Sequence, residues 1–275
     1  MTPELPEPGA FRATTPECRA RQGLSVTSEL PRARQGVAVA SIGIAVVLVL
    51  SWAYLLWMDW GMRHMDRAGD MVLMPRMVGW RPVDLVLVFV MWALMMAAMM
   101  LPSALPTILF YGRTRGRPVA FAGGYLFAWF VFSALATLLQ WRLLEAALVT
   151  PMMVSASARL SAGILIAAGL FQLTPLKNAC LARCRSPLGG VLAGGARLAG
   201  PFREGLRNGV HCLGCCFALM GVLFAVGVMS LPWVFLIAAY VALEKLAPRS
   251  LWLSRSAGVV LCLWGVFVLV HPGSR

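Results

Sequence analysis

Acidic residues are scarce in this chain. Asp and Glu together number 11 of 275 residues, charged residues of both signs make up 13%, and histidine occurs 3 times. An ordinary soluble domain carries about a quarter charged residues, so a conventional soluble globule is excluded. The few carboxylates near apolar stretches lie at their borders: Asp84 and Glu145 on one side, Glu244 beside Lys245 on the other. A proton-coupled carrier needs titrating groups within the membrane. A magnesium, calcium or manganese site needs carboxylates. The sequence offers neither. It also shows no phosphate-cradling glycine loop and no catalytic triad, so ATP-driven transport would require a partner and an enzyme assignment has little support. No internal repeat is present, which argues against the inverted-repeat transporters.

Apolar sequence is abundant: 60% of the residues are hydrophobic. A membrane-spanning helix needs about 20 mostly apolar residues. Seven stretches are read as spans: Val37–Trp57, Val83–Leu109 with its end broken by Pro102 and Pro106, Val119–Trp141, Leu160–Leu173, Gly209–Val228, Pro232–Leu246 and Ala257–Val270. The expected fold is all-α, a polytopic membrane helix bundle of about seven transmembrane helices over residues 37–271. Residues 1–36, rich in Pro, Arg, Ser and Thr, are expected to form a disordered cytoplasmic tail. The first apolar run ends in Trp-Met-Asp-Trp rather than at a small-residue cleavage site, so it is expected to stay as an anchor. The net charge of +13 comes from arginines that punctuate apolar spans, not from one basic stripe. That pattern fits membrane topology and gives no nucleic-acid partner. With seven spans, one side receives 17 of the 24 Lys and Arg residues. The expected placement is a bacterial inner membrane, N-terminus cytoplasmic and C-terminus outside.

Five of the 7 cysteines cluster. Cys180 and Cys184 lie in "LTPLKNACLARCRSPLGG", and Cys212, Cys215 and Cys216 open the fifth span in "HCLGCCFALM". On the expected cytoplasmic side structural disulfides are disfavoured, which leaves metal or redox chemistry. In a helix, Cys180 and Cys184 share a face. Cys212, Cys216 and Met220 form one sulfur stripe with Cys215 alongside, and His211 lies one turn before Cys215. Lys177, Arg183, Arg185 and Arg207 are expected to favour thiolates. Cys18 and Cys262, each isolated, read as small packing residues.

Methionine forms two further groups. Met91, Met95 and Met99 stack at four-residue intervals in the second span, with Met96 and Met100 beside them. Buried helical methionine is commonly a flexible packing residue. Their placement at the level of the cysteines adds a second reading, a thioether path. The loop after the first span carries Met58, Met62, Met65, Met71, Met74 and Met77 with His64 among them, between Trp57, Trp60 and Trp80. The plain reading is an interfacial helix held by an aromatic belt. The sharper one is a surface that captures a soft ion, with Met62, Met65 and His64 as its donors.

Thiolates and thioethers select Cu(I), zinc and iron–sulfur clusters. The abundance of methionine places Cu(I) first and zinc second. The leading expectation is a membrane protein that binds Cu(I) in copper handling or transfer, with a metallochaperone or other membrane subunits as partners beside the lipid bilayer. One alternative is a thiol–disulfide oxidoreductase using Cys212 and Cys215. Another is an assembly subunit with a structural zinc.

"MWALMMAAMMLPSALP", "FQLTPLKNACLARCRSPLGG", "GVHCLGCCFALM", "GVMSLPW" and "EKLAP" resemble the recurring segments of a bacterial family of predicted metal-binding integral membrane proteins, a domain of unknown function. The resemblance covers roughly residues 38 to 270. It implies a several-span inner-membrane protein with a metal site at Cys180, Cys184, Cys212, Cys215 and Cys216. Phe217 stands where the family often has tryptophan.

Overall fold

The computed structural model describes residues 16–64, 81–148, 157–185, 200–228, 230–247 and 250–271. No strand occurs among them, and the helices follow in order: α1 (Pro16–Arg63), α2 (Pro82–Arg115), α3 (Pro118–Glu145), α4 (Ala158–Leu173), α5 (Pro175–Arg185), α6 (Pro201–Val226), α7 (Leu231–Leu246) and α8 (Ser250–Val270). Proline sets most of the starts. Pro82, Pro118, Pro175, Pro201 and Pro232 all lie in first turns, where the missing N–H would have no helical partner anyway and the fixed φ suits the helix. Ser157 caps α4 by accepting from the Leu160 N–H at 3.1 Å. Gly116 (φ 68°) and Gly227 (φ 102°) end α2 and α6 in backbone conformations that favour glycine.

Among the described residues, five helical stretches are long and apolar enough to cross a membrane: Arg34–Gly61 within α1, α2, α3, α6, and Leu251–Val270 within α8. A sixth arises if α4 and α5, bent by 65°, count as one broken span. The all-helical expectation holds, but the count falls short of seven. The stretch expected as a span at Pro232–Leu246 is α7, with 16 residues. It is roughly 24 Å long, less than a hydrocarbon core of roughly 30 Å. The expected span Leu160–Leu173 is α4, also 16 residues long, and reaches membrane length only together with α5.

Two local expectations also change. α2 runs unbroken through Pro102 and Pro106. Apolar helices tolerate such prolines; Ser103, which lies between them, donates its Oγ to the Met100 carbonyl at 2.9 Å. α1 begins at Pro16, inside the stretch whose composition points to disorder; residues 1–15 lie outside the described residues.

The exterior is strongly apolar, with Ile42 and Val49 on α1, Leu135 on α3, and Trp252, Val260 and Leu263 on α8 all exposed. An exposed apolar surface of this extent suits lipid contact. Inside, α6 packs against α3, α4 and α5, while α4 runs along α8, α1 along α2, and α2 against α3 and α7. The α3–α6 crossing is paved with small residues. A Cβ on Gly124 would strike the Phe202 carbonyl, and one on Gly205 the Phe121 carbonyl. A Cβ on Gly209 would lie 2.8 Å from Ala128 Cβ. Gly124 with Ala128, and Gly205 with Gly209, are each four residues apart, so small faces meet and the backbones approach closely. The α4–α8 contact repeats the device at Gly169, Gly258 and Gly265. Cys262 belongs there, its Sγ 3.8 Å from the Ile166 carbonyl, as a packing residue.

Gly124→Ala should destabilise the bundle by about 1–3 kcal/mol through overpacking. Gly123→Ala, whose new Cβ would have Phe202 Cδ2 at 4.0 Å as its nearest neighbour, should be near neutral. Denaturant titration of both variants in detergent, followed by circular dichroism, checks the contrast.

Candidate metal centre

α6 carries three thiols on its inner face. Cys212, Cys215 and Cys216 are 0%, 1% and 0% exposed. The Cys215 and Cys216 sulfurs are 3.2 Å apart, and Cys215 Sγ also donates to the Cys212 carbonyl at 3.0 Å. The fourth thiol arrives on α5. The 65° bend between α4 and α5 turns α5 against α6, and Cys184 meets Cys212 and Cys215. The two cysteine groups of the sequence therefore converge, through Cys184. Cys180, partly exposed on the same helix, reaches α6 at Gly214, where its Sγ would be 3.1 Å from an added Cβ. None of the described cysteines is in a disulfide.

A lysine completes the group. Lys245 Nζ lies 2.9 Å from Cys212 Sγ and donates to Ser103 Oγ at 2.8 Å. Tyr125 OH contacts Cys212 Sγ at 3.1 Å and donates to the Met100 carbonyl at 3.3 Å. Tyr125 thus joins the cysteine group to the methionine stripe of α2. The small-residue crossing makes this contact: Gly209 packs on Tyr125 and Ala128, and Cys212 follows about one turn later along α6.

A second buried pair holds α5 to α7. Lys177 Nζ and Glu244 Oε1 are 2.5 Å apart with both side chains fully buried. Lys177 also donates to Gln172. Glu244 Oε1 accepts from Tyr240 OH at 3.1 Å and from Ser254. Arg185 Nε donates to the Lys245 carbonyl at 3.0 Å, adding a tie between the same helices.

These contacts revise the sequence-based roles. Lys177, expected beside the thiols, pairs with Glu244 instead. The Glu244 side chain is completely buried among the helices. Arg183 and Arg207 are exposed, and His211, half-buried, lies near them. Lys245 is the cation that touches a thiol. The sequence did carry a signal for it, since a Glu-Lys pair closing an otherwise apolar helix marks a functional position. Tyr125 and Ser103 had no such signal.

Met220 is fully buried on α6, and Met91, Met95, Met96, Met99 and Met100 are each at most 1% exposed on α2. His64 turns back on its own helix: Nδ1 donates to the Trp60 carbonyl at 2.9 Å, and the ring stacks on Trp60 at 4.9 Å. The Met62 side chain and Met65 lie outside the described residues. Among the described residues no three His, Cys, Asp or Glu side chains are arranged around a point as a ready metal shell. Three of the thiols share one helix, so their sulfurs form a patch. Its donors are soft, it is screened from water, and an ammonium supplies positive charge.

Fold and site together define an all-helical protein with membrane-length apolar helices and a buried thiol cluster. Residues 89–268 match the family model PpoB2, described as a copper chaperone, and the chain belongs to this family. The match supports the metal-related family that the sequence segments suggested. No curated protein and no solved structure matches the chain.

Lys177→Met should destabilise the protein by about 3–5 kcal/mol, because it leaves the Glu244 carboxylate buried without its counter-charge. Adding Glu244→Gln to that variant should restore a large part of the loss. Denaturant titration in detergent of wild type, single and double variants measures both steps.

Proposed function

We propose that this chain binds Cu(I) as cargo at the sulfur group of Cys184, Cys212, Cys215 and Cys216, in copper handling at a bacterial inner membrane. The observation that carries the reading is the convergence of four buried or nearly buried thiols, from two helices, around Cys212 and the Lys245 ammonium 2.9 Å from its sulfur. Soft sulfur donors select Cu(I) over the hard cations. Thiols release protons when they bind a metal. A monovalent ion held by a pair of thiolates leaves a net negative charge, and Lys245 neutralises it where water cannot. Cys180, His211 and Met220 flank the group. The buried methionines of α2 supply neutral, exchangeable donors leading toward it, and the family's description as copper chaperones supports copper as the ion.

Transfer needs a giver or receiver, so a metallochaperone or another membrane subunit is the expected partner. Thiol–disulfide exchange is less well supported, since it needs a reachable thiolate and Cys212 and Cys215 are buried. A structural zinc leaves the methionine stripe without a role.

Anaerobic titration of the detergent-purified protein with Cu(I), against a competing chelator, tests the proposal. The wild type should bind copper tightly, and the combined Cys212→Ser, Cys215→Ser and Cys216→Ser variant should lose that binding. Lys245→Met, which keeps the thiols but removes the counter-charge, should weaken it by about 10–100-fold. Copper affinity unchanged in the serine variant, or thiols that retain zinc and refuse copper, would overturn the reading.

A further inference from the structure

A cavity lies where α1, α2 and the segment between α6 and α7 meet. Met58, Met91 and Met95 line it with Asp59, and Leu55 and Leu231 are among the aliphatic residues that close it. Met58 is 3% exposed, and Met91 and Met95 are 1% each. Met91 and Met95 are one turn apart on α2, and Met58 comes from α1, so two helices bring methionines to the wall of one space. Methionine used as a gap filler closes voids by virtue of its flexibility. Here three methionines border a cavity no larger than a single small occupant, with Asp59 also in its wall.

This place is distinct from the thiol group. Met91 is roughly 14 Å along α2 from Met100, whose carbonyl receives Tyr125 beside Cys212. Val228, also in the cavity wall, is sixteen residues beyond Cys212, roughly 24 Å if the helical rise is continued. Met99, one turn past Met95, continues the methionine face between the two places and is buried.

We infer that Met58, Met91 and Met95 form a second, thioether-only binding site for a soft monovalent cation, Cu(I). The inference rests on the copper reading of the thiol group. Thioether sulfur is a soft donor suited to Cu(I) and binds without giving up a proton. The aliphatic wall limits competition from water. Thiolates are charged and hold the ion more strongly, so an ion at the cavity is favoured to move toward Cys212.

The test uses the full chain in detergent and Ag(I) as a soft, redox-inert probe. Titration of the wild type should show a strong component and a second, weaker one. Combined Met58→Leu, Met91→Leu and Met95→Leu, which largely conserves side-chain volume, should remove the weaker component and keep the stronger. The triple serine variant at Cys212, Cys215 and Cys216 should do the reverse. In wild type carrying 13C-methyl methionine, the Met58, Met91 and Met95 methyl signals should shift as the weaker component fills, a readout independent of how any variant folds. An unchanged two-component titration in the leucine variant overturns the inference. Methyl signals that stay in place while silver saturates the thiols overturn it too, with the thiol site left standing. Wild type that takes up neither Ag(I) nor Cu(I) overturns the copper reading and this inference with it.

Discussion

The Lys177–Glu244 ion pair is the contact on which the arrangement of sulfurs depends. It joins two completely buried charges at 2.5 Å. Charges removed from water are tolerated only with good pairing and further hydrogen bonds, and Gln172, Tyr240 and Ser254 supply these. Lys177 shares α5 with Cys184, and Glu244 is next to Lys245 on α7. One electrostatic clasp therefore sets two members of the site: it keeps α5 folded back after the bend at Thr174, and it fixes the end of α7 from which Lys245 reaches Cys212. A separation of α5 from α7 would expose an unpaired charge on each, which makes the docked arrangement strongly preferred.

The second constraint is steric. Gly124, Gly205 and Gly209 let α3 and α6 approach until backbone meets backbone. No larger residue permits the same approach, and it is what brings Tyr125 between Cys212 and the Met100 carbonyl. Charge pairing positions the thiols of α5 and the ammonium of α7, while glycine packing positions the thiols of α6 against α3. The methionines of α2 and the cysteines of α6 are all buried, and Tyr125 links the two groups through the Met100 carbonyl and Cys212. Such a series of sulfur donors screened from water suits an ion that must be held and later released, and the copper chaperone description of the family accords with it.

Much of this was legible in the sequence, for identifiable reasons. Long apolar runs gave the helical membrane class, because backbone groups in lipid must be satisfied within a helix. Four-residue spacing placed Met91, Met95 and Met99 on one face and Cys212 with Cys216 on another. Span number was less legible, because apolar composition does not distinguish a helix of full membrane length from a shorter one such as α7. Pro102 and Pro106 looked like breaks, yet α2 continues through them. Tyr125, and the partners of Lys177 and Lys245, were the least legible. Which cation meets a thiol and which meets a carboxylate is decided by how α5 and α7 dock, and spacing along the chain carries no record of that. Lys177 was the nearer basic residue to the cysteines in sequence, but Lys245 is the one in contact.

X-ray absorption at the copper edge of the anaerobically copper-loaded, full-length protein tests the central claim most directly. The account predicts a low-coordinate Cu(I) centre with a sulfur-only first shell that disappears when Cys212, Cys215 and Cys216 are replaced by serine. A shell of nitrogen and oxygen donors, or a sulfur shell that survives those replacements, would contradict it.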